Sequence, residues 1–354
     1  FGCVSALSAQ GRSELLLEKN WKFTREDNNE FIKPAFDDSK WQSVTVPHDW
    51  AIYGPFSSLN DKQEVAISQD GQKEAMEHAG RTGGLPFVGV GWYRTEFDVP
   101  QFQAGKRATI LFDGAMSHAN VYINGQKVGY WPYGYNSFHF DITKYLKPGE
   151  KNTLAVRLEN LPESSRWYPG AGLYRNVHLI ITEDAYIPVW GTYITTPSVN
   201  EKFAKVNVRT KVVLPEGADP AKYSVETSVW NPNKQKLTAV RTSLAQMKYN
   251  NNQAEQEFVI QTPSLWSPEM PALYSAETRL YEGDKLKDIY TTPFGIRSIE
   301  IIPDKGFFLN GKRTVFKGVC NHHDLGPLGA AVNDAAIRRQ IRILKDMGCN
   351  AIRT

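Results

Sequence analysis

The segment that decides the fold is residues 306–354, which read GFFLNGKRTVFKGVCNHHDLGPLGAAVNDAAIRRQIRILKDMGCNAIRT. Within it, Asn310-Gly311 lies between two β-prone runs, Phe307–Leu309 and Thr314–Phe316. An Asn-Gly pair in that setting is the strongest short-range signal for a two-residue hairpin turn. The sequence therefore predicts a β-hairpin here, whose second strand continues to Cys320.

A strand, a helix and another strand are expected after the hairpin. Asn333 or Asp334 can cap the helix, and Gly348 suits the left-handed position that ends one. Residues 349–354 are then the next strand. Spaced at helical periodicity, three side chains form one apolar row: Ile337, Ile341 and Leu344. The pattern predicts a parallel β-α-β unit.

Such a unit is the building block of a (β/α)8 barrel, which needs roughly 250 residues. We therefore interpret residues 298–354 as the start of a truncated barrel. The remaining strands are expected beyond Thr354.

The composition indicates a β protein and excludes some partner classes. Of the residues 12% are aromatic, with 9 Trp and 16 Tyr. Exposed rings of that kind stack on sugars, although β-sandwich cores also contain many aromatics. The net charge is +3, and the basic and acidic residues are interspersed, so the sequence shows no basic patch of the kind that binds nucleic acid. No apolar run approaches the ~20 residues of a membrane span.

The first residues suggest export. Residues 1–12 are interpreted as a signal-peptide remnant or a disordered start, with small residues before a cleavage point after Ala9. Lipidation of Cys3 is the alternative. The expected location is the periplasm or outer surface of a bacterium. Three cysteines are too few, and odd in number, for a disulfide framework.

Two β-sandwiches are predicted before the barrel. Residues 13–184 contain short alternating strands with a second Asn-Gly hairpin at Asn124, which favours a jelly roll. Residues 185–297 repeat the pattern over a length that fits an immunoglobulin-like sandwich. The predicted fold class is therefore mainly β, ending in the first β-α-β of the barrel.

The stretch from Tyr53 to Gly91 interrupts the first sandwich. Its polar half is expected either to carry a short helix at residues 72–78 or to be mobile. Its glycine-rich half, residues 80–91, is a candidate site because glycine permits close backbone approach to a ligand.

Ordered runs along nearly the whole chain resemble glycoside hydrolase family 2, the β-galactosidase, β-glucuronidase and β-mannosidase group. Each run is common alone, and the ordered set is specific: Val46–Trp50, Gly91–Phe97, Phe112–Ala115, Val121–Gly125, Ser165–Val177, Pro293–Arg297, Phe308–Lys312, Lys317–Val319 and Asn350–Arg353.

The resemblance implies a sugar-binding jelly roll beside a catalytic barrel and a retaining mechanism with two glutamates. The family draws both glutamates from later barrel strands, so none of the catalytic carboxylates is expected in this chain, and the chain alone is predicted to be inactive. Hydrolysis of terminal β-D-galactosides in oligosaccharides is the expected activity, with β-glucuronidase or β-mannosidase as alternatives. A non-catalytic carbohydrate-binding module is the alternative from another class.

The resemblance also implies roles for the residues at the first strand end. His322 matches a family histidine that hydrogen-bonds the sugar. His323 stands where the family commonly has Glu, so its role is open. Structural hydrogen bonding and a metal cluster with Asp324 are the alternatives, but adjacent strand residues point to opposite faces and do not easily share one ion.

Four further residues are candidates. Arg353 matches a family arginine that orients the catalytic carboxylates, with a rim salt bridge as its alternative. Arg166 and Trp167 precede a glycine-rich turn that folds toward the substrate mouth in the family, although Arg166 could instead anchor two domains. Asp49 is either a substrate contact or part of a structural polar network.

No cofactor and no metal site are predicted in this chain, and a divalent or sodium ion in a complete enzyme stays open. The predicted partner is an oligosaccharide substrate, and a homo-oligomer stays open.

Overall fold

A computed structural model describes residues 11–60, 62–78, 87, 89–99, 105–162, 165, 167–246 and 253–354 of the chain. It has two compact units, one comprising residues 14–180 with 318–354 and the other built on residues 181–317. No helix in the described ranges is long and apolar enough to cross a membrane.

Short antiparallel strands form the first sandwich, as the alternating pattern predicts. They are β1 (Arg12–Leu16), β2 (Trp21–Thr24), β3 (Gln42–Val44), β4 (Gln63–Val65), β5 (Met76–His78), β6 (Gly89–Asp98), β7 (Arg107–Phe112), β8 (Ala119–Ile123), β9 (Gln126–Trp131), β10 (Phe138–Asp141), β11 (Lys151–Asn160) and β12 (Val177–Thr182).

Ten of these strands build two sheets, one in the order β1-β12-β7-β10 and one in the order β3-β2-β6-β11-β8-β9, and β4 and β5 form a separate pair. The predicted hairpin at Asn124 is confirmed, with Ile123 paired to Gln126. The inward residues of β6, β7, β8 and β11 are buried. Trp21, Trp92 and Phe112 are each at most 1% exposed, and burial of such a side chain contributes about 1.5–3 kcal/mol.

The short helix, one of the two alternatives for residues 72–78, is wrong. Residues 76–78 are instead strand β5, which pairs with β4, and Gln63 lies opposite His78. A 3₁₀ turn at Ser68–Asp70 ends at Gly71, whose φ of 74° reverses the chain. The side chain of Gln72 then holds this turn, because its Oε1 accepts the N–H of Ile67 at 3.0 Å. The same oxygen lies 3.0 Å from His78 Nε2. Residues 79–86, most of the glycine-rich candidate, lie outside the described residues.

The second sandwich packs a sheet in the order β13-β14-β17 with one in the order β16-β15-β18-β19. Its core is formed from both sheets and includes Val206, Val229, Phe258 and Ala276. The immunoglobulin-like prediction is confirmed. The strands are β13 (Thr192–Val199), β14 (Phe203–Lys211), β15 (Tyr223–Trp230), β16 (Lys236–Ser243), β17 (Gln253–Gln261), β18 (Tyr274–Glu282) and β19 (Lys285–Phe294).

The final segment contains a small antiparallel sheet and then a parallel pair. The sheet comprises β20 (Ile299–Ile302), β21 (Gly306–Leu309) and β22 (Lys312–Arg313). The predicted turn is confirmed, since Leu309 pairs with Lys312 around Asn310 and Gly311, both at positive φ. The parallel pair is β23 (Gly318–Cys320) and β24 (Ala351–Arg353), with helix α1 (Asp334–Asp346) between them.

The helix begins and ends where the sequence predicts. Asn333 Oδ1 accepts the N–H of Ala336, and Gly348 has a φ of 86°. The prediction of one continuous strand from Thr314 to Cys320 is wrong, because residues 314–317 are in no strand. β22 pairs within the antiparallel sheet and β23 pairs with parallel β24, so the chain changes partners between them.

Candidate functional site

A buried carboxylate joins three separate segments of the chain. Asp49, only 1% exposed, accepts at Oδ1 the backbone N–H groups of Ala51 (2.9 Å) and Ala171 (3.0 Å). Its Oδ2 accepts the hydroxyl of Tyr168 (2.7 Å) and the N–H of Ala330 (2.8 Å). The Asp49 side chain therefore fastens the segment after β23 to the jelly roll.

Two glycines allow this close approach. Gly170 and Gly329 have φ values of 68° and 61°, in the left-handed region that favours glycine. A Cβ at Gly170 would lie 2.3 Å from the Cβ of Ala330, and one at Gly329 would lie 2.4 Å from Asp49 Oδ2. Neither position has room for a side chain. In each loop the glycine allows the backbone to approach Asp49, and the alanine that follows it donates its N–H to the carboxylate.

Burial raises the pKa of Asp49, and the hydrogen bonds from Ala330, Tyr168, Ala51 and Ala171 oppose that rise. A carboxylate offers about four lone-pair positions, and here four donors fill them. Of the two roles that the sequence left open for Asp49, this geometry favours the structural network.

His323 faces the jelly roll. Its Nε2 lies 2.8 Å from the carbonyl oxygen of Pro169, so Nε2 carries the hydrogen and donates it. The ring packs against Tyr135 and Tyr174, with centroids 5.3 and 5.7 Å away. Burial lowers the pKa of His323, and the Pro169 carbonyl opposes this. His323 is therefore a half-buried, neutral imidazole that positions the Tyr168–Ala171 loop.

His322 is exposed. Its ring lies 5.5 Å from the ring of Trp167, tilted by 53°. Trp167 is itself 37% exposed, and its Nε1–H donates to the hydroxyl of Tyr135 at 3.0 Å. The two candidates that lie far apart in the sequence are therefore neighbours at the surface.

Sequence reasoning missed two tyrosines of this cluster. Tyr135 bridges Trp167 and His323, and Tyr133, 53% exposed, lies 5.4 Å from it. Burial raises the pKa of Tyr135, against the hydrogen bond from Trp167. The signal was the run Trp131-Pro-Tyr-Gly-Tyr135 directly after a strand. We call Tyr133, Tyr135, Trp167, His322 and His323 the aromatic cluster.

Arg353 lies at the end of β24, is exposed, and accepts at its carbonyl oxygen the N–H of Asn321 (2.8 Å). This places its backbone beside the residue that precedes His322. Arg166 lies outside the described residues.

The geometry gives no support to a metal cluster at this strand end. The His322 ring contacts Trp167, whereas His323 Nε2 donates to the carbonyl oxygen of Pro169. Within the described ranges, no group of three or more His, Cys, Asp or Glu side chains is placed to hold a metal ion.

Chemically, the aromatic cluster suits a sugar. Exposed rings can cover the C–H face of a pyranose, and imidazole and phenol groups can exchange hydrogen bonds with its hydroxyls. The described side chains of the cluster include no carboxylate, and residues 306–354 contain no glutamate.

Comparison with known proteins agrees with this arrangement. Residues 15–183 match the profile "Glycosyl hydrolases family 2, sugar binding domain", residues 186–297 match "Glycosyl hydrolases family 2", and residues 300–354 match the TIM barrel domain of that family. The β-galactosidase BoGH2A of Bacteroides ovatus is 40% identical over 99% of this chain. A putative β-glucuronidase of Formosa agariphila is 37% identical over 97%.

The solved structures give the same picture. A family 2 member from Bacteroides cellulosilyticus superposes with a TM-score of 0.83 at 34% identity, over 96% of this chain and 42% of its own. A β-glycosidase from Bacteroides vulgatus gives 0.84 at 32%, over 96% and 41%. The chain spans 39% of the length of BoGH2A and 31% of the Formosa relative. On its sandwiches, its barrel elements and these matches, the chain belongs to glycosyl hydrolase family 2.

Proposed function

We propose that this chain carries the sugar-binding part and the first barrel elements of a retaining β-glycosidase that acts on terminal β-galactosides of oligosaccharides. The observation that carries the proposal is the contact between His322, two residues after the end of β23, and Trp167 of the jelly roll. It joins a barrel strand end, where the active sites of such barrels lie, to an exposed aromatic ring.

Each member of the cluster has a role that follows from its contacts. His322 exchanges a hydrogen bond with a sugar hydroxyl, and Trp167 and Tyr133 cover the C–H face of the ring. Tyr135 holds the Trp167 indole, and His323 holds the loop beside it. Arg353 lies outside the aromatic cluster, at the end of β24, and its role, implied by the family resemblance, is to orient the catalytic carboxylates.

The chemistry itself needs two carboxyl groups about 5–5.5 Å apart, one as acid and base and one as nucleophile. These come from other barrel strands. Within this chain the barrel segment binds and positions substrate, and the two glutamates are supplied by residues that follow Thr354 in the whole protein.

The galactoside is favoured because the β-galactosidase BoGH2A is 40% identical to this chain. A glucuronide is the second candidate, since a putative β-glucuronidase is 37% identical. That substrate requires a cation facing its carboxylate. β-Mannosidase and a non-catalytic carbohydrate-binding module are the remaining alternatives. Export to the periplasm or outer surface is part of the proposal, supported by the small residues before Gln10.

The test begins with the reading frame beyond Thr354. Two further strand-end glutamates there support the enzyme, and a stop codon at that point favours the binding module. The protein encoded by the complete frame is then assayed on nitrophenyl β-galactoside, β-glucuronide and β-mannoside. A higher kcat/KM on the galactoside supports the proposal, and a preference for either other substrate overturns the choice of sugar.

A further inference from the structure

The hairpin of β4 and β5 packs one face against the first sandwich. Residues directly opposite each other in an antiparallel pair share a face, so Gln63 and His78 lie on one face of the hairpin, and Glu64 and Glu77 lie on the other. Both glutamates are exposed, whereas Gln63 is only 4% exposed. The face that carries Gln63 is therefore turned toward the sandwich.

The buried amide of Gln63 bonds a residue 102 positions away in the sequence. Its Nε2 donates to the carbonyl oxygen of Ser165 at 2.7 Å. Because a carbonyl oxygen can only accept, this contact also fixes which end of the amide faces Ser165. Ser165 is itself buried, and a buried carbonyl that loses its donor is costly. The bond therefore ties Ser165 to the hairpin.

Ser165 passes this restraint to Trp167. The hydroxyl Oγ of Ser165 donates to the backbone carbonyl oxygen of Trp167 at 2.7 Å. The indole of Trp167 is held separately, by its hydrogen bond to Tyr135, and its ring faces His322. Gln63 thus acts on the main chain of Trp167, and Tyr135 acts on its ring.

The other long-range hydrogen bonds of this loop lie after Trp167. They join residues 168–171 to three side chains: Asp49, His323 and Asn160. Among the described residues, Gln63 supplies the bond from a distant segment to the loop before Trp167. Its loss would leave the main chain fixed on one side of the indole.

We propose that Gln63 is a positioning residue for the sugar site. Through Ser165 it sets the main chain of Trp167, and so the place of the indole that covers the C–H face of the sugar. The inference rests on the proposed function, in which Trp167 contacts the sugar. Placement matters because a gap of about 0.5–1 Å forfeits roughly a quarter to a half of the dispersion attraction between two surfaces.

The test is a double-mutant cycle on the 354-residue chain, with the Kd for methyl β-D-galactopyranoside measured by NMR titration. Gln63→Met keeps the length of the side chain and removes its donor. It is made alone and together with Trp167→Ala. The matched control is Gln256→Met, because Gln256 is also buried and its Nε2 donates to the carbonyl oxygen of Val225 in the second sandwich. Circular dichroism confirms that each variant is folded.

We expect Gln63→Met to raise the Kd roughly fivefold, as the loss of one hydrogen bond would, and Gln256→Met to leave it unchanged. Ser165→Ala, which removes the next bond of the same path, should also raise the Kd. In the Trp167→Ala background, Gln63→Met should raise the Kd no further, because a residue that acts only through the indole has no effect without it.

A spectroscopic measurement follows Trp167 in the absence of sugar. In the chain labelled with fluorotryptophan, the fluorine resonance of Trp167 is assigned by its loss in Trp167→Phe. We expect this resonance to shift or broaden in Gln63→Met and in Ser165→Ala, and to stay in place in Gln256→Met.

Three results would overturn the inference while Trp167→Ala still weakens binding, and so leave the proposed function intact. They are an unchanged Kd in Gln63→Met, an unchanged Trp167 resonance in that variant, and an equal rise of the Kd with and without Trp167. A Kd that Trp167→Ala leaves unchanged, or no binding by the original chain, would instead refute the sugar contact of Trp167 and the inference with it.

Discussion

Asp49 and Ala330 lie 281 positions apart in the sequence and are joined by a 2.8 Å hydrogen bond from the Ala330 N–H to Asp49 Oδ2. With the bonds to Ala51, Ala171 and Tyr168, it holds the loop after His322 against the jelly roll. The aromatic cluster depends on that attachment, because its members come from both segments.

Asp49→Asn keeps the shape of the side chain and removes its capacity to accept four hydrogen bonds, because one oxygen becomes an NH₂ donor facing other donors. We expect the free energy of unfolding of the first unit to fall by about 2–4 kcal/mol, measured by urea unfolding. Asp284→Asn, in an exposed turn, is the matched control and should change it by less than about 0.5 kcal/mol. An unchanged midpoint for Asp49→Asn contradicts the role given to this carboxylate.

His178 gives the first sandwich a pH dependence. Burial alone would lower the pKa of His178, but hydrogen bonds with Asp113 and Glu14 outweigh it and raise the pKa to about 9. Because the folded pKa exceeds the ordinary value of 6.5, the stabilisation is fully present below pH 6.5 and is lost as the pH rises through 9.

The measurement is urea unfolding at pH 6.5 and 9.5 for the original chain and for His178→Gln. We expect the difference between the two proteins to shrink by about 1 kcal/mol, a discounted value because Glu14 and Asp113 are partly exposed. Other titrating groups cancel in the difference. A difference that grows with pH would reverse the sign of the interaction and refute the assignment.

Binding of galactose by the chain should depend on Trp167 and Tyr133. Trp167→Ala removes both the exposed ring and the donor to Tyr135, so we expect a roughly five- to tenfold higher Kd by NMR titration. We expect Tyr133→Ala to raise the Kd by less. Tyr193→Ala removes an exposed tyrosine of the second sandwich and should leave the Kd unchanged. Equal Kd values for all three would exclude the aromatic cluster as the sugar site.

The 354-residue chain alone should not hydrolyse nitrophenyl β-galactoside above the buffer rate. Its barrel segment, residues 298–354, contains one glutamate, Glu300, which lies in the antiparallel strand β20 and not at the end of a parallel strand. Retaining hydrolysis needs two carboxyl groups across the glycosidic bond. A complete family 2 β-galactosidase assayed in parallel provides the positive control. Hydrolysis that copurifies with the chain and scales with its concentration would contradict this prediction.

Helix α1 should exchange its amide hydrogens rapidly in a monomer of this chain. None of its residues is buried, and Ile341 and Ile343 are 48% and 42% exposed, so little packing opposes local opening. We expect residues 334–347 to exchange by mass spectrometry well before strands β6 and β11, which serve as the internal control. Strong protection of the helix in a monomer would contradict the prediction.

The sequence by itself determined the elements. Asn124-Gly125 and Asn310-Gly311 specified hairpins, because both residues of such a turn need positive φ. Alternation specified the half-buried strands, and Asn333 and Gly348 specified the ends of α1. The same local rules failed at residues 72–78 and 314–317, where pairing with a distant or a different strand decided the outcome.

Tertiary structure alone decided the site. The sequence singled out His322, His323, Trp167 and Asp49 individually, but not which of them bind each other or the two tyrosines that join them. His322 faces Trp167 and His323 faces Pro169 because the loop after β23 is held by the buried carboxylate of Asp49. Contacts across such sequence separations follow from packing and buried hydrogen bonds, which no local pattern encodes.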